Sequence, residues 1–353
     1  MKRPTTMKVI IVVVLVALIG AFTTGWKQLS NSHDSDNTET DTAMVTKPLG
    51  PKFDADSAYM FCAAQCAFGE RVMNSPAHEK CGQWIVDKFK QYGCEVTEQK
   101  VDLKGYDGTV LKTTNIIAQY NPKAKRRVML CAHWDARPWA DNDPDSTKHH
   151  MPVMAANDGA SGVAVLLEVA RQLNLMATSK GKEAEALPRD LGVDFVCFDA
   201  EDWGLPQWVT DYQGQDDTWA LGAQYFSKNY PLPVKPMFSV LVDMVGGEGA
   251  QFYREGMSVE YASDVVNRVW QAAKNAGFAN YFPDEQGGMV TDDHIPLNQN
   301  AGIPTADVIA YYPDCQQSSF GPTWHTVSDT MNHIDRNTLE AVGQTMIQML
   351  WEI

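Results

Sequence analysis

Apolar residues run through this chain in two rhythms. Short, nearly continuous apolar runs rich in β-branched and aromatic residues occur at "NIIAQY" (115–120), "RVMLCAH" (127–133), "DFVCFDA" (194–200), "FSVLVDMV" (238–245) and "TADVIAYY" (305–312). Runs of that length and composition predict strands buried on both faces. Elsewhere apolar positions recur three and four residues apart, over 57–72, 79–93, 161–174, 217–229, 258–276 and 337–350, which predicts helices. Gly93 stands where the second of these needs a left-handed C-terminal residue. Strands alternating with helices predict one α/β domain whose mixed sheet is mostly parallel and flanked by helices. No internal repeat and no second domain boundary interrupts 53–353. Open sheets of this kind bind ligands at the carboxyl ends of their strands, so the polar residues just past each apolar run are the ones to weigh.

Ahead of the body the polarity changes twice. Lys2, Arg3 and Lys8 precede the uncharged run "VIIVVVLVALIGAF" (9–22), which predicts a signal peptide or N-terminal membrane anchor over 1–26. The body is then expected outside the cytoplasm, periplasmic or tethered to a membrane and facing outward. "KQLSNSHDSDNTETDTAMVT" (27–46) has almost no large apolar groups to offset the entropy of ordering, so 27–52 reads as a flexible linker and folded structure is expected from about Phe53.

Composition narrows the classes of partner. The 353 residues carry 29 lysines and arginines against 44 aspartates and glutamates, a balance that argues against nucleic acid or anionic membrane surfaces. The seven cysteines form no C-x-x-C pair, and their odd number leaves at least one outside any disulfide within the chain. Cys62 and Cys66 fall one helical turn apart, while Cys131 and Cys197 sit inside apolar runs as expected of packed thiols. None stands in a polar, electropositive neighbourhood of the kind that activates a nucleophilic thiolate. Oligomeric state leaves no mark on the sequence.

The strand ends supply a consistent chemistry. His133 follows "VMLCA", Glu201 and Asp202 follow "DFVCFDA", and Asp243 lies near the end of "FSVLVDMVGG". Trp324 and His325 come in the loop after "TADVIAYY", and Asp158 opens the helix that follows the first of these strands. Each has a bland explanation: Asn157-Asp158-Gly159 could be only a turn and N-cap, the acid pair a solvated loop, His325 a packed core residue. Asp243 is harder to dismiss, because an unpaired carboxylate inside an apolar strand costs several kcal/mol. Together, two imidazoles and several carboxylates at strand ends suit a borderline cation such as Zn²⁺. If Asp202 ligates, Glu201 is left beside the cation to move protons, which is the equipment for attack on an amide.

At these residues the chain resembles the zinc aminopeptidase-like (M28-type) superfamily, which contains both metallopeptidases and the animal-type glutaminyl cyclases. "AANDGASGVAVLLEVAR", "FDAEDWG", "VDMVGG" and "WHTVSDT" carry the likeness, which runs from about Phe53 to the C-terminus. "TDDHIPLNQNAGIPTADVI" looks like the cyclase version. The resemblance implies a zinc-dependent cyclotransferase domain over 53–353 that converts N-terminal glutamine of peptides or proteins to pyroglutamate, releasing ammonia. It implies that Asp158, Asp202 and His325 hold one Zn²⁺, that Glu201 is general base and acid, that Asp243 braces Glu201 or the reacting centre, and that Asp292 positions the leaving amide. His294, Trp203, Trp208 and Trp324 are expected to line the pocket, and His133 to lie behind the ligands or to hold a second metal.

Two features depart from the commonest cyclase pattern. Asp202 stands where a glutamate is usual, and "NDGASG" is closer to the peptidase wording. They keep open a dizinc aminopeptidase, with two Zn²⁺ on the same five positions and a water activated by Glu201. A third reading, an inactive binding module on this fold, is disfavoured by the intact acid pair. The loop "DNDPDST" with His149 and His150 has poor spacing for calcium and reads as solvated.

Overall fold

Six strands form one sheet in the order β1-β2-β4-β3-β5-β6 in the computed structural model, which describes residues 48–179, 187–214 and 217–353. They are β1 (Glu95–Lys104), β2 (Val110–Tyr120), β3 (Arg126–His133), β4 (Leu191–Phe198), β5 (Ser239–Asp243) and β6 (Thr305–Ile309). β4, β3, β5 and β6 run parallel, and β2 and β1 continue the sheet antiparallel. The helices are α1 (Ala55–Cys66), α2 (Pro76–Gln91), α3 (Ala160–Thr178), α4 (Leu221–Lys228), α5 (Gly256–Ala276), the single turn α6 (His294–Pro296) and α7 (Arg336–Trp351). The expected mixed, mostly parallel α/β domain is what the chain builds.

Alternate residues of the central strands face two apolar layers. Val128, Leu130 and Ala132 of β3 join the larger core with residues of α1, α2, α3, α5 and α7. Met129 and Cys131 point the other way, into a smaller core with Ala223 and Phe226 of α4 and with Leu297 and Ile303. By the same parity His133 ends β3 on the smaller-core side, as does Asp243, two residues beyond Leu241 on β5. α3 is buried along nearly its whole length, and a Cβ at Gly162 would strike the carbonyl of Val242, so only glycine lets this helix lie so close to β5.

Strand β1 escaped the hydrophobic pattern. Its sequence, "EVTEQKVDLK", pairs with β2 along its whole length at the sheet's edge, where both faces are largely wet and no apolar run is required. The helix expected over 217–229 begins only at Leu221, because Ala220 takes a left-handed conformation (φ 54°). Several predicted strands also stop short: β4 ends before Asp199 and β5 before Met244, and the freed residues become the loops of the site. All seven cysteines are free, and Cys131 and Cys197 are buried as expected.

The leader over 1–26 and most of the linker fall outside the described residues. From Leu49, however, the chain is already seated: Leu49 N–H donates to Gln348 Oε1 at 2.6 Å and Phe53 N–H to Gln344 Oε1 at 2.8 Å. Residues 49–52 therefore lie against α7 as part of the body rather than ahead of it. No helix among the described residues is long and apolar enough to cross a membrane.

A buried ion pair ties two parallel strands together at the end remote from His133. Arg127 donates from Nε at 2.9 Å and from Nη2 at 2.7 Å to Asp194, both side chains being almost wholly inaccessible. Arg127→Ala leaves that carboxylate buried and uncompensated and is expected to lower stability by roughly 3–5 kcal/mol. Urea unfolding of the two proteins measures it; a loss below about 1 kcal/mol would mean that Gln119, which also donates to Asp194, suffices.

Candidate active site

The carboxyl ends of β3, β4, β5 and β6 and the loops that leave them deliver six side chains to one point. His133 is the last residue of β3 and Asp243 the last of β5; Glu201 and Asp202 follow β4, Asp158 precedes α3, and His325 lies in the loop between β6 and α7. The Asp158 carboxylate sits between the two imidazoles, with Oδ1 2.9 Å from His133 Nε2 and Oδ2 3.6 Å from His325 Nε2. Asp243 Oδ1 approaches His133 Nε2 to 3.2 Å, and Asp202 Oδ1 approaches His325 Nε2 to 3.3 Å. Two triplets result, His133–Asp158–Asp243 and Asp158–Asp202–His325, sharing one aspartate; within each, the donor atoms lie within 4.8 Å of one another.

Backbone hydrogen bonds, rather than the functional groups, fix this arrangement. Asp329 accepts the N–H groups of Asn157 (2.8 Å) and Asp158 (3.0 Å), and Asp135 accepts those of Glu201 and Asp202, both at 3.1 Å. Arg137, buried and paired with Asp141, donates to the carbonyl of Asp202 at 3.0 Å. Asn157 Oδ1 accepts Gly246 N–H at 2.9 Å, tying the Asp158 loop to the loop after β5. Gly159 is required by close approach, since a Cβ there would meet the His133 ring. Ala200, Met244 and His325 all hold left-handed conformations (φ 54°, 49° and 54°), a cost on the order of 1 kcal/mol or more each, and all three flank or supply the converging groups.

The local charge is strongly negative. Burial alone would strip the proton from His133, yet Asp243, Asp135 and Asp158 outweigh it and hold that imidazole well above its ordinary range. Burial, reinforced by Asp202, Asp292 and Asp293, pushes Glu201 well above the usual carboxylate range against the opposing pull of His133. Such a field suits a cation. The donor set fits one of the zinc class: one imidazole and two carboxylates, all buried, with Asp202 Oδ2 lacking any hydrogen-bond partner.

Beside these groups opens a cavity of about 250 Å³. Its floor is Asp158, Glu201, Asp243, Asp292 and His325, and its walls include Trp219, Trp324, Phe320, Ile309, Val290 and Met289. His325 is stacked between Trp324 (centroids 3.8 Å) and Trp219 (5.8 Å).

The structure brings together Asp158, Glu201, Asp202, Asp243, Asp292, Trp324, His325 and His133, and leaves three other expected residues off the cavity wall. Trp203 and Trp208 do not line the cavity; the chain past Asp202 carries them outward, where both pack edge-on against Trp139. His294 does not line it either, being wholly buried behind it with Nε2 3.2 Å from Glu255. The wall expected from Trp203 and Trp208 is supplied by Trp219, which no sequence signal singled out. Asp135, Arg137 and Asp329 were also missed. Asp135, two residues past His133, could have been found by extending the strand-end rule; Asp329 acts through the backbone of a distant loop and leaves no such trace.

Asp329→Ala removes both acceptors that hold the Asp158 loop. Zinc affinity is expected to fall by about 10–100-fold, the usual effect of losing a group that orients a ligand. Competition with a chromophoric chelator measures it, and an unchanged affinity would assign the loop's geometry to Asn157 alone.

Comparison with known proteins agrees with this geometry. The sequence profile of Peptidase family M28 matches residues 115–350. A solved glutaminyl cyclase of Bacteroides thetaiotaomicron, bound to N-acetylhistamine, is 46% identical, covers 86% of this chain and 99% of its own, and superposes with a TM-score of 0.79. A leucine aminopeptidase precursor from the same species is 45% identical over 87% of this chain and 100% of its own, with a TM-score of 0.78. Aminopeptidase YwaD of Bacillus subtilis is 26% identical over 77% of this chain, which spans only 52% of that protein's length. With a family match over most of the folded body and relatives above two-fifths identity along nearly their full length, the chain belongs to the M28 family.

Proposed function

We propose that this chain is a zinc-dependent glutaminyl-peptide cyclotransferase, acting on peptides or proteins that begin with glutamine. The observation that carries the reading is the cavity: small, walled by Trp219, Trp324 and Phe320, and floored by carboxylates. Cyclisation needs a glutamine side chain folded back onto its own amine, and a short aromatic pocket closed over acidic groups favours that compact conformer. The 46% identity to a glutaminyl cyclase supports it.

Held by Asp158, Asp202 and His325, one zinc would supply a Lewis acid for the side-chain amide carbonyl. The chain's own groups do the rest. Glu201, raised by burial and by its acidic neighbours, is placed to take a proton from the attacking α-amine and to return it to the departing amide nitrogen. Asp243 reaches Glu201 through the His133 ring, whose Nε2 is 3.2 Å from Asp243 and whose Nδ1 is 4.0 Å from Glu201. This gives His133 an orienting role. Asp292, on the cavity floor, is placed to accept a hydrogen bond from the leaving amide.

A dizinc aminopeptidase is the second reading, favoured by the His133–Asp158–Asp243 triplet and by the name of the 45% identical relative. The uncharged run before the body further supports export, with the N-terminal segment as leader or tether.

Glu201→Gln is expected to lower turnover by about 10²–10⁴-fold with zinc content unchanged, and chelation to abolish activity until zinc is restored. Mass spectrometry of a Gln-initiated dipeptide separates the readings: loss of ammonia with the peptide bond intact marks the cyclase, and free glutamine marks the peptidase.

A further inference from the structure

Behind the cavity, joined to it through Asp292, lies a second group of acids whose other members the reaction does not explain. Asp307 occupies the middle of β6, opposite Leu241 of β5, in a sheet position where an apolar residue is the rule. Asp292, Asp293 and His294 form the approach to α6 and its first residue, and Glu255 caps α5 from the far side through Met257 and Ser258. Asp293, His294 and Asp307 are wholly inaccessible and Asp292 nearly so. His294 lies between two carboxylates, with Nε2 3.2 Å from Glu255 Oε2 and Nδ1 3.8 Å from Asp307 Oδ2. Donor atoms of Asp292, His294 and Asp307 all fall within 4.8 Å of one another.

The polar atoms here lack hydrogen bonds. Asp292 Oδ2, both oxygens of Asp293, both ring nitrogens of His294 and both oxygens of Asp307 are buried without a partner. Among the described residues, the basic side chain within 4 Å of Glu255 and Asp307 is His294 alone. Four carboxylates with only the His294 and His133 imidazoles near them cannot all stay charged in a dry interior without a further cation. Protons could neutralise them singly, but Asp292, His294 and Asp307 each present unpartnered buried atoms and offer donors close enough to share one ion. A metal ion is satisfied by distance from several donors at once.

We propose that Asp292, His294 and Asp307 form a second, buried cation site that takes a divalent ion of the zinc class. An imidazole with two carboxylates suits zinc or a similar borderline ion, whereas calcium and magnesium take all-oxygen sets. The site would neutralise the acids behind the pocket and fix Asp292 from the side away from substrate. Burial and mutual repulsion push Asp293 and Asp307 well above the carboxylate range, which is the cost a cation there relieves. The inference does not depend on whether the pocket cyclises or hydrolyses.

Crystals of the wild-type protein grown with zinc, with data collected on both sides of the zinc absorption edge, give the direct test. An anomalous peak among Asp292, His294 and Asp307, apart from any at Asp158, is expected; a water or no density there overturns the proposal. Metal counting on the full chain gives the second test. Asp307→Asn and His294→Gln are each expected to carry one equivalent less than wild type, with Asp202→Asn losing its equivalent separately. Folded Asp307→Asn and His294→Gln proteins with the wild-type count would overturn it.

Discussion

One carboxylate lying between two imidazoles sets the terms for the rest of this molecule. Asp158 can face His133 and His325 at once only if a strand end, a helix entrance and a loop after β6 meet within a few ångströms. Nothing about such a meeting is favourable in itself, since Asp202 and Asp243 bring further negative charge to a dry place. The protein secures it with the backbone. Asp329 and Asp135 each grip two consecutive N–H groups, and Arg137 holds the carbonyl of Asp202. These holding groups are themselves ionisable, so the site is a graded shell of polar groups rather than a few ligands set in an apolar wall.

The centre does not by itself choose a reaction. Two triplets sharing Asp158 accommodate either nuclearity, and the family includes both peptidase and cyclase names. In the proposed reaction discrimination would fall to the cavity above, where Trp219, Trp324 and Phe320 form the wall beside Glu201. The stacking of His325 between two indoles joins the two parts of the site, because the same rings that shape the pocket hold the imidazole of a candidate metal triplet in its plane.

What could be read from the sequence follows from what each residue is made to do locally. His133, Asp202 and Asp243 were legible because a parallel strand ends abruptly, and a polar residue at or just past its end has few other reasons to be there. His325, deep in the loop after β6, was legible through the "WHTVSDT" likeness. Trp203 and Trp208 misled because nearness along the chain was taken for nearness in space; the segment after Asp202 leaves the site, and Trp219 returns to it. His294 misled for a related reason, its turn placing the ring inward against Glu255 rather than toward the cavity. Strand β1 was missed because an edge strand wet on both faces has no hydrophobic period to show.

The seating of residues 49–53 on α7 bears on how the protein is made. Leu49 and Phe53 reach their partners Gln348 and Gln344 across 299 and 291 positions of chain. A Cβ at Gly343 would collide with the Phe53 ring, so the two ends of the body fit each other closely. During vectorial synthesis Phe53 must wait, its buried face uncovered, until α7 has been made. Completion of this part of the core thus depends on contacts between segments far apart in the chain, and until they form the apolar face of Phe53 needs shielding.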